Sequence, residues 1–259
     1  SSLAAADPGA NIDLIDAPAA DSSGDARLSF PIRLPPGRGD FSPSLALTYA
    51  SASGSGWLGV GWDLRTSRIE IDTRFGVPAY TGDERYLLDG EALVPTTETD
   101  GPGCASGTAR RYRPRVEGAF SHILRCGAGP SDYHWEIRDR AGTRFVYGDT
   151  DDTRLASYAG DPSIFAWALR EVVDTNENIT RFGYQFDASP TPPAGEPFTQ
   201  IYPSTIDYTE HAGLAAAYHV RFRLDPGNRP DHIVTGRPGF KVVTRRLLRT
   251  IEVDADTPT

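Results

Sequence analysis

Tyr133-His-Trp-Glu-Ile-Arg-Asp-Arg-Ala-Gly-Thr-Arg-Phe-Val-Tyr147 contains two runs of alternating apolar residues, separated by a short segment that ends in glycine. Side chains that recur at every second residue lie on one face of a β-strand. A three-residue loop, Arg140-Ala141-Gly142, with Gly142 in the left-handed conformation, would join the two runs as a hairpin. This register places five apolar side chains on one face: Tyr133, Trp135, Ile137, Phe145 and Tyr147. The segment therefore predicts an antiparallel hairpin with one buried, aromatic face.

Two further segments predict hairpins. In Tyr86–Val94, Asp89-Gly90 is a pair that favours a type I′ turn, because both central residues of that turn need positive φ. Such a turn sets two pairs of residues opposite each other, Leu88 with Glu91 and Tyr86 with Leu93. The third hairpin runs from Trp167–Val173 through a polar loop to Phe182–Phe186.

Shorter runs predict single strands. In Arg27–Leu34, Leu28, Phe30, Ile32 and Leu34 alternate along one face, and Pro31 favours an edge position because proline donates no ladder hydrogen bond. The other predicted strands are Leu45–Tyr49, Thr205–Tyr208, Tyr218–Leu224 and Val242–Val253. The last run also has apolar residues at helical spacing, so both types stay open there, and Leu214–Ala217 is compatible with a helical turn.

These patterns together predict an antiparallel all-β fold with little helix. The many short runs, separated by 26 Gly and 21 Pro in 259 residues, fit a large twisted sheet, a sandwich or a fragment of a shell. Residues 1–26 contain few large apolar groups and are interpreted as a flexible leader, and 27–259 as the folded domain. The sequence contains no Met, which indicates a processed product or a segment of a longer protein.

Charge and hydropathy exclude several classes of function. The net charge is −9, so we expect no nucleic-acid partner and no attraction to anionic membranes. No run of about 18 apolar residues is present, so no membrane span is predicted. Two cysteines, Cys104 and Cys126, permit one disulfide, which would stabilise the fold by about 3 kcal/mol. The alternative is a pair of unrelated thiols.

A glycine-rich segment at 54–62 matches a nucleotide-binding pattern without its context. Gly54-Ser-Gly56-Trp57-Leu-Gly59 has the G-x-G-x-x-G spacing, but a dinucleotide site also needs a helix that begins there. Instead Gly61-Trp62 follows, and Arg68–Asp72 alternates like a strand. We therefore expect no cofactor, and we interpret the segment as a structural turn that lets Trp57 and Trp62 pack closely.

Two short motifs favour turns over binding sites. Arg38-Gly39-Asp40 is the integrin-type tripeptide, and here it is interpreted as a turn after Pro36-Gly37. Asp174-Thr-Asn-Glu-Asn178 resembles the start of a calcium loop. However, Ile179 occupies the position of the required Gly, and Gln185 that of the bidentate Glu. We expect solvated turns there and at the acidic cluster Asp149, Asp151 and Asp152, and no metal.

Catalytic signatures are absent from the sequence. It contains no nucleophile elbow, zinc-protease helix, C-x-x-C pair or phosphate-binding loop. The five histidines are scattered, and none has a second histidine at a ligand spacing: His122, His134, His211, His219 and His232. Because catalytic groups can converge from distant positions, an enzyme site assembled across strands stays open, but we expect a protein without catalytic residues.

Several segments resemble one known family, the SpvB-like domains. The resemblance covers nearly everything from residue 27 onward and rests on Phe30–Ala50, Ser53–Leu64, Gly76–Tyr80, Leu87–Pro95, Trp167–Leu169, Asp174–Tyr184, Ile206–Thr209 and Arg245–Ile251. Asp174-x-x-x-Asn178 with Tyr184 is similar to one YD-type repeat. It departs from that pattern at Glu177, where Gly is usual, so we expect the left-handed residue at Asn178.

The resemblance implies a structural role. Such domains precede an ADP-ribosyltransferase in the Salmonella plasmid virulence protein, and a β-propeller and RHS/YD-repeat shell in the B components of Tc insecticidal toxins. The E-x-E pair of arginine-specific ADP-ribosyltransferases is not found in this sequence. The expected function is a non-catalytic module of a secreted bacterial toxin-like protein, which contributes β-structure to a shell that holds cargo. Its partners would be further domains of the same polypeptide or toxin complex. The alternative is a carbohydrate- or receptor-binding module that uses exposed aromatic residues.

Overall fold

The computed structural model describes residues 19–20, 24–97, 103–105, 108–116, 120–157, 163–188 and 197–256. Across these residues the chain forms β-strands and three short 3-10 turns (Arg38–Asp40, Thr73–Phe75 and Asp151–Thr153), with no α-helix. In chain order the strands are β1 (Ala19–Ala20), β2 (Ala26–Ile32), β3 (Leu45–Ala50), β4 (Ser55–Gly56), β5 (Gly59–Val60), β6 (Trp62–Leu64), β7 (Arg68–Ile71), β8 (Tyr86–Leu88), β9 (Glu91–Pro95), β10 (Ala109–Pro114), β11 (Phe120–Cys126), β12 (His134–Asp139), β13 (Arg144–Tyr147), β14 (Arg154–Ala156), β15 (Ile164–Val173), β16 (Asn178–Ala188), β17 (Thr199–His211), β18 (Tyr218–Leu224), β19 (Ile233–Thr235), β20 (Val242–Thr244) and β21 (Leu248–Ala255). The predicted all-β class is confirmed.

Eight of these strands close into an antiparallel barrel. Strands β7 to β13 follow one another in sequence order, and β15 pairs with both β7 and β13, which joins the two ends. Ala166 pairs with Glu70 on one side, and Arg144 pairs with Val173 on the other. Closure removes the free edges that an open sheet would expose.

The hairpins at the centre of the barrel have the predicted registers. Trp135 lies opposite Tyr147 and Ile137 opposite Phe145, and Gly142 has a φ of +92°. In the β8–β9 hairpin, Leu88 pairs with Glu91 and Tyr86 with Leu93, while Asp89 and Gly90 both have positive φ. Local turn chemistry therefore set both registers.

Aromatic rings fill the barrel. Tyr86 and Trp135 are 1% and 0% exposed, and their ring centroids lie 5.0 Å apart with the planes inclined at 70°. Tyr112 and Trp167 contact the same two rings at centroid distances of 5.1–6.0 Å. Aromatic pairs in edge-to-face contact each contribute about 0.5–1.5 kcal/mol beyond their burial. This cluster is the main hydrophobic core.

Beyond the barrel, the sheet continues as an outer sheet of β16, β17, β18 and β21. A small sheet of β1, β2, β3 and β6 covers one face of it. Leu45 and Leu64 from the small sheet pack against Ile206, Tyr208 and Phe222 from the outer sheet and form a second core. The molecule thus combines a barrel with a two-layer region beside it.

Several details differ from the sequence predictions. Val242–Val253 is divided into β20 and β21, and Leu248, which had helical spacing, begins a strand because it pairs with Leu224. Leu214 forms a β-bridge with His211 in place of the helical turn. In the Asp174–Asn178 turn, the left-handed residue is Glu177, with a φ of +62°, so the expectation of Asn178 was wrong. Asn178 instead starts β16, whose ladder requires an extended backbone.

The N-terminal prediction falls mostly outside the described residues, since 1–18 and 21–23 are not described. Ala19–Ala20 pair with Ala26–Arg27, and the Asp25 carboxylate accepts hydrogen bonds from Ser51 and from the Ala52 amide. The division into a leader and a domain at residue 27 stays a prediction.

Candidate functional site

The glycine-rich segment forms a small hairpin beside the outer sheet. Gly56 of β4 pairs with Gly59 of β5, and Trp57 and Leu58 lie at the turn. The Trp57 ring lies 6.2 Å from Tyr202 and 6.3 Å from Phe222, and the Trp57 carbonyl accepts a hydrogen bond from the Leu248 amide at 2.7 Å. The hairpin thus attaches the small sheet to the outer sheet.

The backbone angle and the close neighbours of Gly61 require glycine at the end of this hairpin. Its φ is +78°, and a Cβ there would lie 2.5 Å from Tyr49 Cε2 and 3.0 Å from the Ala50 carbonyl oxygen. The Tyr49 ring in turn packs against Trp62, at a centroid distance of 5.3 Å and with the two planes inclined at 52°. Trp62 therefore packs on the small sheet, and Trp57 on the outer sheet.

A buried arginine holds the hairpin in place. Arg229 is 5% exposed and donates hydrogen bonds to the Gly56 carbonyl and Ser55 Oγ, both at 2.6 Å. Its guanidinium also binds the Asp231 carboxylate at 2.6 Å, and this bond raises the pKa of Arg229 and lowers that of Asp231. No local motif of the sequence marks Arg229, since its partners at the hairpin lie more than 170 residues away.

A cavity of about 1010 Å³ lies where the barrel, the outer sheet and the small sheet meet. Its walls include Leu64, Ala166 and Phe182 together with polar groups such as Thr180 and Gln200. Thr180 Oγ1 is buried there and has no hydrogen-bond partner among the residues that the structure describes. The cavity therefore has both apolar walls and an available polar group.

Two of the acidic side chains that line this cavity, Asp89 and Glu70, are engaged in structural contacts. The Asp89 carboxylate accepts hydrogen bonds from Ser67 Oγ at 2.7 Å and from the Arg68 amide at 2.8 Å, and Glu70 pairs with Arg68 at 2.8 Å. Asp89 thereby ties the β8–β9 turn to β7. These contacts favour a structural role for the cavity walls over acid–base chemistry.

The two cysteines lie next to each other on the barrel. Cys104 and Cys126 form a disulfide with a Cα–Cα distance of 5.8 Å. Cys126 is fully buried at the end of β11, and Glu136 Oε1 lies 3.9 Å from its sulfur. The neighbouring His134 imidazole lowers the pKa of Glu136, and the Ala105 amide, which donates a hydrogen bond to this carboxylate, lowers it further.

The remaining acidic motifs are turns and ion pairs. The Asp174 carboxylate accepts hydrogen bonds from the Asn176 and Asn178 amides and from the Asn178 side chain, which closes the turn. Asp149 pairs with Arg170 at 2.5 Å. The carboxylates of Asp174 and Asp149 are thus used within the fold.

A charged ladder covers the outer face of β18 and β21. Arg221 pairs with Asp254 at 3.2 Å, and Arg223 with Glu252 at 2.9 Å. His219 Nδ1 lies 2.6 Å from Asp207, and His219 Nε2 lies 3.4 Å from Asp256. The hydrogen bond to Asp207 raises the pKa of His219, and the contact with Asp256 adds to this effect. Cross-strand pairs of opposite charge stabilise a sheet and remain on its solvent side.

The buried Arg125 is another feature that the sequence did not reveal. It is 6% exposed and donates hydrogen bonds to the Gly82 carbonyl at 2.7 Å and to the Tyr86 hydroxyl at 2.9 Å. Its guanidinium also lies 3.8 Å from the centroid of the Tyr133 ring. The cation–π contact and these hydrogen bonds offset part of the cost of burying its charge, while Arg125 Nε is buried with no hydrogen-bond partner among the described residues.

Arg38, Gly39 and Asp40 are all exposed on a 3-10 turn between β2 and β3. The connection is fixed on both sides of the turn, because Tyr208 donates a hydrogen bond to the Pro35 carbonyl at 2.9 Å and Phe41 packs against the barrel core. The tripeptide is thus presented on an anchored loop.

Comparisons with known proteins agree with this architecture. The family described as "Salmonella virulence plasmid 65kDa B protein", SpvB, matches residues 20–193. The mono(ADP-ribosyl)transferases SpvB of Salmonella typhimurium and Salmonella enteritidis are 33% identical over 163 residues, which cover 57% of this chain and 27% of each relative. The chain therefore matches only about a quarter of those transferases.

Solved structures show the same fold. The N-terminal domain of effector protein SpvB from Salmonella typhimurium strain LT2 matches with a TM-score of 0.78 at 26% identity, over 89% of this chain and 88% of that one. The structure of TcdB2-TccC3-TEV matches with a TM-score of 0.77 at 20% identity, over 97% of this chain and 14% of that one. The Photorhabdus luminescens Tc holotoxin pore matches with a TM-score of 0.75 at 22% identity, over 89% of this chain and 13% of that one.

Among the described residues, no helix is long and apolar enough to cross a membrane.

Proposed function

This chain belongs to the SpvB family, and we propose that it is a non-catalytic structural module of a secreted bacterial toxin-like protein. Its sheet would continue into a neighbouring domain, such as the β-propeller or RHS-type shell of a toxin complex. The main support for this proposal is that the barrel strands close on one another, whereas the outer sheet stays open and ends at β21 among the described residues.

Strand β21 offers a free backbone edge among the described residues. The Asp256 amide donates to the Ala217 carbonyl on the β18 side, and antiparallel ladders alternate residue by residue. Asp254 therefore also faces β18, whereas the N–H and C=O groups of Val253 and Ile251 point away from the sheet. A partner strand could bind these groups by β-augmentation.

The exposure of Val253 and the charged residues beside it are consistent with binding of a partner strand at the β21 edge. Val253 is 40% exposed at this edge, and the charged ladder beside it keeps the adjacent face in solvent. Exposed edges invite pairing with another strand, and charged side chains limit unspecific association. The edge is thus suited to one specific partner.

Hydrogen exchange would test this proposal. We expect the amides of Val253 and Ile251 to exchange freely in the isolated chain and to be protected when the chain is joined to its propeller and shell domains. Val253→Pro removes one outward donor and should weaken this docking, whereas Val253→Thr keeps the amide and should dock normally. Equal exchange in the isolated and joined forms would refute docking at β21.

The non-catalytic part of the proposal has its own test. We expect no nucleotide binding by the isolated chain and no hydrolase activity. A robust activity that is lost on substitution of one His or Asp would overturn it.

Receptor binding is the second candidate, and the exposed Arg38-Gly39-Asp40 turn favours it over glycan binding. The aromatic residues that could have served glycans are largely core residues, such as Trp135 and Trp167. Cation-dependent binding to an immobilised integrin that disappears in Asp40→Glu would support this candidate. Binding that is unchanged in that variant, or absent in the wild type, would exclude it.

A further inference from the structure

Two side chains capable of binding metal, Glu136 and His134, lie beside the Cys104–Cys126 disulfide. The two sulfurs and a Glu136 carboxylate oxygen all lie within 4.8 Å of one another. His134 Nε2 lies 3.9 Å from the same carboxylate, and the side chains of His134 and Glu136 are each only 13% exposed. A disulfide, a carboxylate and an imidazole thus share one partly buried patch outside the barrel core.

The sheet explains why these residues meet. Cys126 lies directly opposite His134 in the β11–β12 ladder, and Glu136 is two residues further on β12, so all three side chains are on the same face. The loop at 103–105 brings Cys104 over this face, and the Ala105 amide donates to Glu136 at 2.9 Å. Sequence spacing alone does not reveal the cluster, because its members come from a loop and two strands.

We propose that reduction of the Cys104–Cys126 disulfide converts this cluster into a Zn²⁺ site, with both thiolates, Glu136 and His134 as ligands. This inference concerns a site separate from the docking edge and does not depend on the proposed function. A dithiol reductant would supply two electrons and two protons and become a disulfide itself, leaving two cysteine thiols. Zn²⁺ would then displace one proton from each thiol. The disulfide and the metal are mutually exclusive states.

The ligand types and the distances suit zinc. Zinc binds Cys sulfur at about 2.3 Å and His nitrogen or carboxylate oxygen at about 2.0–2.2 Å in tetrahedral sites, which sets neighbouring ligand atoms about 3.3–3.8 Å apart. The two sulfurs and the Glu136 oxygen lie within 4.8 Å of one another, and His134 Nε2 lies 3.9 Å from the Glu136 oxygen, so this oxygen is within about 1 Å of the zinc spacing to each neighbour. The two sulfurs are bonded to each other in the disulfide and would separate to the zinc spacing once reduction breaks that bond. Thiolate ligands favour zinc over calcium or magnesium, which bind oxygen ligands.

Cobalt titration of the purified chain tests the site. The chain is reduced, freed of reductant without air, and titrated with Co²⁺, whose thiolate charge-transfer absorption reports sulfur ligation. Zn²⁺ is then added to displace the cobalt. We expect one Co²⁺ per reduced chain, displaced by Zn²⁺, and none per oxidised chain. Glu136→Gln and His134→Ala should each weaken cobalt binding at least about tenfold, while exposed control variants, Glu91→Gln and His232→Ala, should bind like the wild type.

Three results would overturn the proposal. The first is a reduced chain that keeps its far-UV circular dichroism but binds no stoichiometric cobalt. The second is undiminished binding in both Glu136→Gln and His134→Ala, which would leave only a thiol pair. The third is loss of the fold on reduction, because the site requires the β11–β12 ladder to hold its ligands.

Discussion

Gly61→Ala probes the packing at the end of the glycine-rich hairpin. The substitution adds one methyl group at a residue whose φ is +78°. It therefore tests whether glycine is needed here because neighbouring atoms leave no room for a Cβ, or only because of the positive φ.

Two costs are expected from the structure. An L-residue in the left-handed region costs about 1–2 kcal/mol. The new Cβ would also lie 2.5 Å from Tyr49 Cε2 and 3.0 Å from a backbone oxygen, and overpacking of this kind costs about 1–3 kcal/mol. We expect the free energy of unfolding to fall by about 2–5 kcal/mol in total.

Gly90→Ala is the matched control, because Gly90 has a similar φ of +88° but no atom within 4 Å of the added Cβ. It should lose only the backbone cost of about 1–2 kcal/mol. Denaturant unfolding, followed by circular dichroism, measures both variants. Since Tyr49 is a side chain, Gly61→Ala combined with Tyr49→Ala should lose less stability than the sum of the two single variants.

Equal losses in Gly61→Ala and Gly90→Ala would refute this reasoning. So would strict additivity in the double variant, because the clash with Tyr49 predicts a coupling between the two positions. Either result would mean that the packed pair Tyr49 and Trp62 does not restrict the backbone at Gly61.

Three other perturbations give distinct expected outcomes. Replacing Cys104 and Cys126 by Ser should lower the free energy of unfolding by about 3 kcal/mol, because the link between residues 22 apart no longer restricts the unfolded chain; a loss below about 1 kcal/mol in denaturant titration would contradict this. The pKa of His219 is raised in the folded state, so its two carboxylate contacts stabilise the fold fully below the unfolded pKa of about 6.5, and this contribution is lost as the pH rises through the folded pKa. His219→Gln should abolish that part of the pH dependence of stability, and an unchanged pH profile would contradict the assignment. Arg125→Met should lower the free energy of unfolding by about 1–3 kcal/mol, because a buried carbonyl and a buried hydroxyl lose their hydrogen-bond donor. The control Arg65→Met, at an exposed arginine, should change stability little. Equal thermal stability of the two variants would argue against a role for the buried guanidinium.

Much of the local structure could be predicted from the sequence. The hairpins at Tyr86–Val94 and Tyr133–Tyr147 formed with the expected registers because alternation defines a strand and the turn residues define its partner across two or three positions. The division of Val242–Val253 could not be predicted, since its apolar residues fit two periodicities and only pairing with β18 selects the strand.

The candidate site was less accessible to sequence reasoning. The sequence predicts a structural turn at residues 54–62, but Arg229, which holds that hairpin, and Arg125, which lies among aromatic rings, carry no local signal. The cluster around Cys126 joins a loop to two strands and is likewise invisible to spacing.

The sequence by itself determined that this chain is antiparallel β-structure and which of its segments form tight hairpins, because both properties depend on neighbouring residues. Only the tertiary structure decided that β15 closes a barrel with β7 and β13, and that no other described strand pairs with the outer edge of β21. These choices depend on contacts between segments far apart in the chain. Whether such contacts form depends on two free energies, the gain from burying aromatic side chains and the entropic cost of closing long loops. Neither can be estimated from the alternation of residues along the sequence.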